Sequence, residues 1–426
     1  MIPSAKLYQG VDYIMPLYLF ISLPGFYLGM WNLSVIAKYY AFLLILFLLK
    51  EAIGKGYKNK GIGMIFTIYL LYCLLSIIWY GINGVNLRCF IRELYNTIPA
   101  MFFVYIGMTD NRTKNTFHKW FLNSCSLSML LGIFLYLSMP GWFLTRKTEY
   151  TNYIESTANS ENLVLAQMRF SSYLGDTYEV DVYAMLALCI SLFTLFYAYK
   201  NKRNTLIPYF CLFINFVAAI LCQQRVAMVY AVLAIFIFIL YGLRSSNQKA
   251  SIKLLTVFVI SISVLFFAVF YYFGDRAGQL FELLADRVDK ISYSETVGGR
   301  DYQMKLLTEH WDMPIFGHGL GSGGSVAGAL GYPHVTDCSY IELLYETGVV
   351  GFILFLIIII LTIRRGVKYA KYYLTELTFI GFILIAMVGS NTLTISFMSI
   401  YPFWYSIGLI WNKTLLYNLK KNQINI

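Results

Sequence analysis

The chain has 426 residues, 58% of them hydrophobic and 13% charged, about half the charged share usual in a soluble domain. So much apolar sequence excludes a soluble globular fold, because a water-facing surface could not hide it. The net charge of +11 does not call for nucleic acid, since the basic residues fall in a repeating pattern between apolar runs.

Those runs lie at 11–30, 33–49, 62–82, 89–108, 120–139, 180–199, 206–222, 226–243, 254–273, 341–363, 376–394 and 397–412. Each approaches the roughly 20 apolar residues that cross a bilayer as a helix. About twelve transmembrane helices are therefore expected, in an all-α integral membrane protein forming a single polytopic domain over 1–426. The first run contains Pro16 and Pro24, which membrane helices tolerate when neighbours satisfy the freed carbonyls. It has no small-residue cleavage site after a short apolar core, and reads as a retained span instead of a removed signal peptide. The run at 89–108 has the weakest start, with Arg92 and Glu93 near its end. Seven cysteines are scattered with no CxxC pair, which predicts small apolar fillers of helices, with no disulfide framework and no zinc site.

Orientation follows from the connections. Segments 50–60, 109–119, 200–205, 244–253, 364–376 and 413–421 carry net charges of +3, +2, +3, +3, +3 and +3. They fall at every second junction, so the positive-inside rule places them, and both termini, in the cytoplasm. Two long connections are left on the outer face. Segment 140–179 has net charge −2 and segment 274–340 has −4. Loops of this length are functional or disordered. Within the second, 279–290 and 300–311 read as short amphipathic helices, with apolar residues at three- and four-residue spacing. The loop also holds three of the four histidines: 310, 318 and 334. No internal repeat of the transporter kind is visible.

The outer face carries an unexpected set of arginines. Arg225 sits in CQQRVAM, a short connection between two strong spans, where a cation is disfavoured and needs a partner. A snorkelling head would also explain it, but Gln223 and Gln224 add polarity beyond what a turn needs. Arg169 precedes the sixth run, and Arg300 follows Gly298 and Gly299; each is equally readable as a solvated loop residue. Arg88 and Arg92 lie on the same side, the latter readable as a pair with Glu93. Three arginines on one face point to an anion, since guanidinium groups grip phosphate through paired, charge-assisted hydrogen bonds. At the outer leaflet the natural ligand is a lipid phosphate or diphosphate.

The glycine-rich stretch Gly317 to Gly324 has no strand before it, so it is no dinucleotide fingerprint, although it could wrap a ligand closely. His318 within it is either a base or a polar turn residue. Further on, His334 and Asp337 are candidates for general-base work on a hydroxyl. Glu342 and Glu346 stand four apart and share a helix face, either to orient a sugar or an arginine, or as an interfacial pair. Tyr340, Tyr332 and Trp311 could stack on sugars or simply pack. The histidines match no metal-ligand spacing, and neither a metal nor a cofactor is expected.

Segment 298–351 resembles the characteristic module of the O-antigen polymerase and O-antigen ligase superfamily. There a Gly-Arg dipeptide opens an amphipathic helix, a Pro-x-x-Gly-x-Gly turn follows, then a polar motif, then a helix starting with Glu and Gly residues. Here these are Gly299-Arg300, Pro314 to Gly319, His334 to Tyr340, and Glu342, Glu346, Gly348 and Gly351. Arg225 and Arg169 match the family's outer-face arginines. The family's ligases carry His-Asn-x-Tyr where this chain has Asp337-Cys338-Ser339-Tyr340, a departure that favours the more variable polymerases.

The resemblance implies a GT-C-like glycosyltransferase of the bacterial inner membrane, with a long, partly helical periplasmic loop between helices 9 and 10. Its substrates would be oligosaccharide repeat units on undecaprenyl diphosphate. Arg225, Arg300 and Arg169 would hold the diphosphate, and Asp337 or His334 would be the base. His318, Tyr340, Glu342 and Glu346 would line the substrate site. A chain-length regulator and a flippase are the implied partners, besides membrane lipids. A ligase acting on a lipid A core and a polysaccharide transporter are the alternatives.

Overall fold

The computed structural model describes residues 4–56, 61–80, 84–112, 114–139, 170–174, 177–222, 224–244, 314–324, 338–389 and 396–424, with scattered positions in 141–149 and 307–335. Among them the extended regular structure is all helical. In chain order the helices are α1 (Ser4–Leu28), a 3-10 turn (Trp31–Ser34), α2 (Val35–Gly56), α3 (Ile62–Tyr80), α4 (Gly84–Met101), α5 (Phe103–Thr109) and α6 (Lys114–Ser138). Then follow α7 (Thr177–Lys200), α8 (Leu206–Leu221), α9 (Arg225–Arg244), α10 (Ser339–Lys368), α11 (Ala370–Ala386), α12 (Phe397–Trp411) and α13 (Lys413–Ile424).

Among the described residues, four helices are long and apolar enough to cross a membrane: Lys6–Leu28, Asn115–Ser138, Glu179–Tyr199 and Ser339–Lys368. Shorter apolar helices cover Val35–Leu48, Ile62–Ile78, Leu206–Leu221 and Val226–Gly242. Polarity across the bundle agrees with a lipid surround. Outward side chains are apolar, with Phe20 78% and Phe47 68% exposed, whereas Asp12, Asp110, His118 and Glu376 are buried. Water would penalise so much exposed apolar surface and lipid would not, and the buried polar groups pair inside the bundle, so the chain is a helical, membrane-embedded protein. Hydroxyls within the apolar helices are absorbed locally: Thr362 donates to the Ile358 carbonyl and Thr378 to the Leu374 carbonyl, at 2.7 and 2.8 Å.

Helices coincide with eleven of the twelve expected apolar runs, and the ninth, 254–273, lies outside the described residues. Two runs differ in form. The 89–108 run is two helices, α4 with Pro99 inside it and α5, separated at Phe102, whose N donates to the Pro99 carbonyl at 3.2 Å. The 341–363 run lies within a longer helix that breaks at Gly348, where φ is 61° and ψ is −173°. All seven cysteines are buried and none is in a disulfide.

α12 forms the centre, with every residue from Phe397 to Ile410 buried. It packs closely on α5 through two glycines: a Cβ on Gly107 would come within 3.0 Å of Gly408 Cα, and one on Gly408 would overlap the Val104 carbonyl. Small residues allow such backbone approach between membrane helices. Gly408→Val is expected to force α5 and α12 apart and cost about 3 kcal/mol by overpacking, seen as a lower thermal midpoint of the purified protein in detergent.

One end of α12 is fixed by a buried ionic knot. Arg112, between α5 and α6, reaches Asp12 of α1 at 2.6 Å and Asp110 at 2.7 Å. The Tyr405 hydroxyl donates to Asp110 at 2.8 Å, and the Asn412 amide donates to the Gly107 and Asp110 carbonyls at 3.0 and 2.6 Å. Burial works against the Arg112 charge, but hydrogen bonds to Asp110 and Asp12 and the charge of Asp110 outweigh it and raise its pKa. Nearby, His118 of α6 pairs with Glu376 of α11 at 3.2 Å.

Candidate functional site

The break in α10 leaves backbone groups without helical partners, and such groups need other partners where they are buried. The glycine-rich turn supplies the partners. His318 N donates to the Tyr345 carbonyl at 3.0 Å and Gly319 N to the Glu346 carbonyl at 2.9 Å. From the far side of the break, Val349 N and Val350 N donate to the carbonyls of Pro314 and Ile315 at 3.0 and 3.2 Å. The Tyr72 hydroxyl of α3 lies 2.8 Å from the Thr347 carbonyl and 3.0 Å from that of Phe316. Ser76 of α3 accepts from Leu320 N at 2.9 Å. The stretch that could have wrapped a ligand thus wraps the chain's own broken helix, and 317–324 is buried. Gly317 and Gly348 meet face to face, both at positive φ (76° and 61°), and a Cβ on either would overlap backbone of the other strand of the clasp.

Beneath the clasp lie three carboxylates. Glu342 and Glu346 share one face of α10, as their spacing predicts, and both are buried. Glu346 accepts from Gly323 N at 3.1 Å, so its carboxylate pins the turn. Glu93 of α4 is buried as well and accepts from the Thr97 hydroxyl. A cavity of about 30 Å³, room for a water molecule, is lined by Tyr69, Cys73, Thr97, Glu342, Glu346 and Trp404 among others. The buried Trp404 Nε1 has no hydrogen-bond partner among the described residues. None of the described residues form a group of three or more His, Cys, Asp or Glu side chains able to hold a metal ion.

The expected site residues divide as follows. His318 is buried and stacked on Tyr345, with centroids 4.2 Å apart and planes 11° from parallel. Tyr340 donates to the Leu384 carbonyl at 2.8 Å and sets its ring edge-on to Phe352. Arg225 opens α9, but its side chain is outside the described residues, as are Arg169, Arg300, His334 and Asp337. Their chain neighbours are informative. Phe170, next after Arg169, donates through N to the Leu221 carbonyl at 3.1 Å, four residues before Arg225. Val335 N donates to the Gly323 carbonyl at 2.8 Å, and Ser339 N to the Met387 carbonyl at 3.0 Å. Val226 stands 3.9 Å from where a Gly389 Cβ would be. The start of α9, the end of α11, the start of α10 and the segment after Arg169 therefore gather at one end of the bundle.

Sequence reasoning missed Tyr72, Ser76 and Trp404, which read as ordinary members of apolar runs. Glu93 was visible only as half of an Arg92–Glu93 pair; the structure turns it inward, with its Cγ against Gly321. What the fold and site define is a helical membrane protein with a buried, carboxylate-lined clasp around a broken helix. No family model matches the chain, and no curated protein is significantly similar to it.

Proposed function

We propose that this protein is a glycosyltransferase of the bacterial inner membrane that polymerises undecaprenyl-diphosphate-linked oligosaccharide repeat units. In this reading twelve helices span the membrane, both termini are cytoplasmic, and the clasp faces the periplasm. The observation that supports it most is the clasp itself. The two sequence pieces that resemble the superfamily module, Pro314 to Gly319 and Glu342 to Gly351, are held together as one unit by backbone hydrogen bonds.

The chemistry follows from the donor. The growing glycan is bonded through its anomeric carbon to a lipid diphosphate. That carbon–oxygen bond breaks, the hydroxyl oxygen of a newly arrived unit bonds to the carbon, and the lipid diphosphate departs with its negative charge. Arg225, Arg300 and Arg169 stabilise that charge, and Asp337 or His334 accepts the hydroxyl proton. Arg225→Ala is expected to lower polymerisation on the order of 100-fold with expression unchanged, as loss of one charge-stabilising donor does.

The test in cells is a gel of surface polysaccharide from a strain lacking the gene, with and without the wild-type copy. Collapse of the ladder to a single repeat unit on the lipid core supports polymerisation. Loss of all polymer from the core, with long chains left on the carrier lipid, supports the ligase instead. A polysaccharide flippase or other transporter is the second reading, because transporters build their sites at discontinuous helices and α10 is one. We rank it second: in that architecture the groups freed at the break face a substrate or ion, and here the turn and Tyr72 take them up.

A further inference from the structure

α10 carries the chain from the clasp to a tight turn at Tyr369, where α11 begins and α13 returns. Three cations surround the Tyr369 ring. Arg365 Cζ and Lys368 Nζ lie 5.7 Å from its centroid and Lys420 Nζ of α13 lies 4.8 Å away. Arg365 is held there, 4.8 Å over Trp411 and donating through Nε to the Ile410 carbonyl at 2.8 Å. Lys371 of α11 and Lys421 of α13 are exposed as well. Segments 364–371 and 413–424 contain no Asp or Glu, and Glu376 on α11 is buried against His118.

The positive-inside rule asks for basic residues at this end of the bundle but not for three on one ring. The ring attracts each cation, yet being neutral it cancels none of their mutual repulsion. An anion would. α13 packs Leu415 and Leu416 into the core, which fixes the helix that carries Lys420 beside the ring. Basic pockets at such an end of a bundle suit lipid phosphates. We propose that Arg365, Lys368 and Lys420 around Tyr369 bind the phosphate headgroup of an anionic membrane phospholipid. This proposal does not rest on the polymerase reading.

The test uses the full chain purified in detergent. Phosphatidylglycerol, phosphatidylcholine or inorganic phosphate is added, and lipid retention is read by native mass spectrometry alongside the thermal midpoint. Wild type is expected to retain phosphatidylglycerol and melt higher with it, and to do neither with phosphatidylcholine. Lys368→Gln with Lys420→Gln should weaken retention roughly 25-fold, about fivefold per lysine, with the lipid-free midpoint no lower than that of wild type. Equal effects of phosphatidylcholine, the same gain from inorganic phosphate, or full retention by the double variant would each overturn the proposal. Should the double variant fail to fold, Lys420→Gln alone carries the test, with about fivefold weaker retention expected.

Discussion

Gly348→Ala is expected to open the clasp and cost at least about 3 kcal/mol. Part of this is backbone strain, since a φ of 61° costs a residue with a Cβ about 1–3 kcal/mol. The rest is overlap of the new Cβ with the Ile315 carbonyl and Gly317 N, which are backbone atoms and cannot swing aside. Relieving the overlap means parting the two sides of the clasp, which leaves the Pro314, Ile315, Tyr345 and Glu346 backbone groups without partners in a low-dielectric setting. The thermal midpoint in detergent should fall, and limited proteolysis should begin to cut within 314–324. Gly389→Ala is the control, because among the described residues its Cβ would meet only Val226 Cγ2, at 3.9 Å. A Gly348→Ala protein melting like this control would show that the clasp contributes little.

Arg112→Leu should be as damaging. It removes the guanidinium from between Asp12 and Asp110, whose side chains are only 2% and 3% exposed. Breaking a buried ion pair from one side costs about 3–5 kcal/mol, because an uncompensated charge is left behind. Asp12→Asn in the same chain should recover part of that loss, and the coupling between the two substitutions measures their contact. Arg112→Lys should fall between, since an ammonium cannot grip two carboxylates as a guanidinium fork does. A midpoint within experimental scatter of wild type for Arg112→Leu would contradict this account of the knot.

Helix positions were legible in the sequence because a lipid-facing helix must be apolar along a stretch of fixed length, and composition alone reveals that. What joins the helices was not. The 109–119 junction reads as a basic surplus that sets topology, yet its half-buried Arg112 is tied to two buried aspartates. His118 falls in the same junction and is instead bonded to Glu376, more than 250 residues away. Gly317 to Gly324 reads as a ligand-wrapping loop because its local signal is only flexibility. Its purpose appears once Gly348 is seen to break α10, and no local pattern links residue 317 with residue 348. The Glu342–Glu346 pair shows the converse: a four-residue spacing fixes a shared face, so the sequence placed both side chains together, while their burial and the Gly323 contact depended on the clasp.

The central claim, polymerisation of lipid-linked repeat units, is tested most directly by reconstitution. The purified full chain, in liposomes with a single undecaprenyl-diphosphate-linked repeat unit and no other protein, should convert it to a ladder of longer lipid-linked chains. Arg225→Ala protein of equal stability should leave it nearly unchanged. A folded wild-type protein that leaves the repeat unit at its original length would contradict the claim.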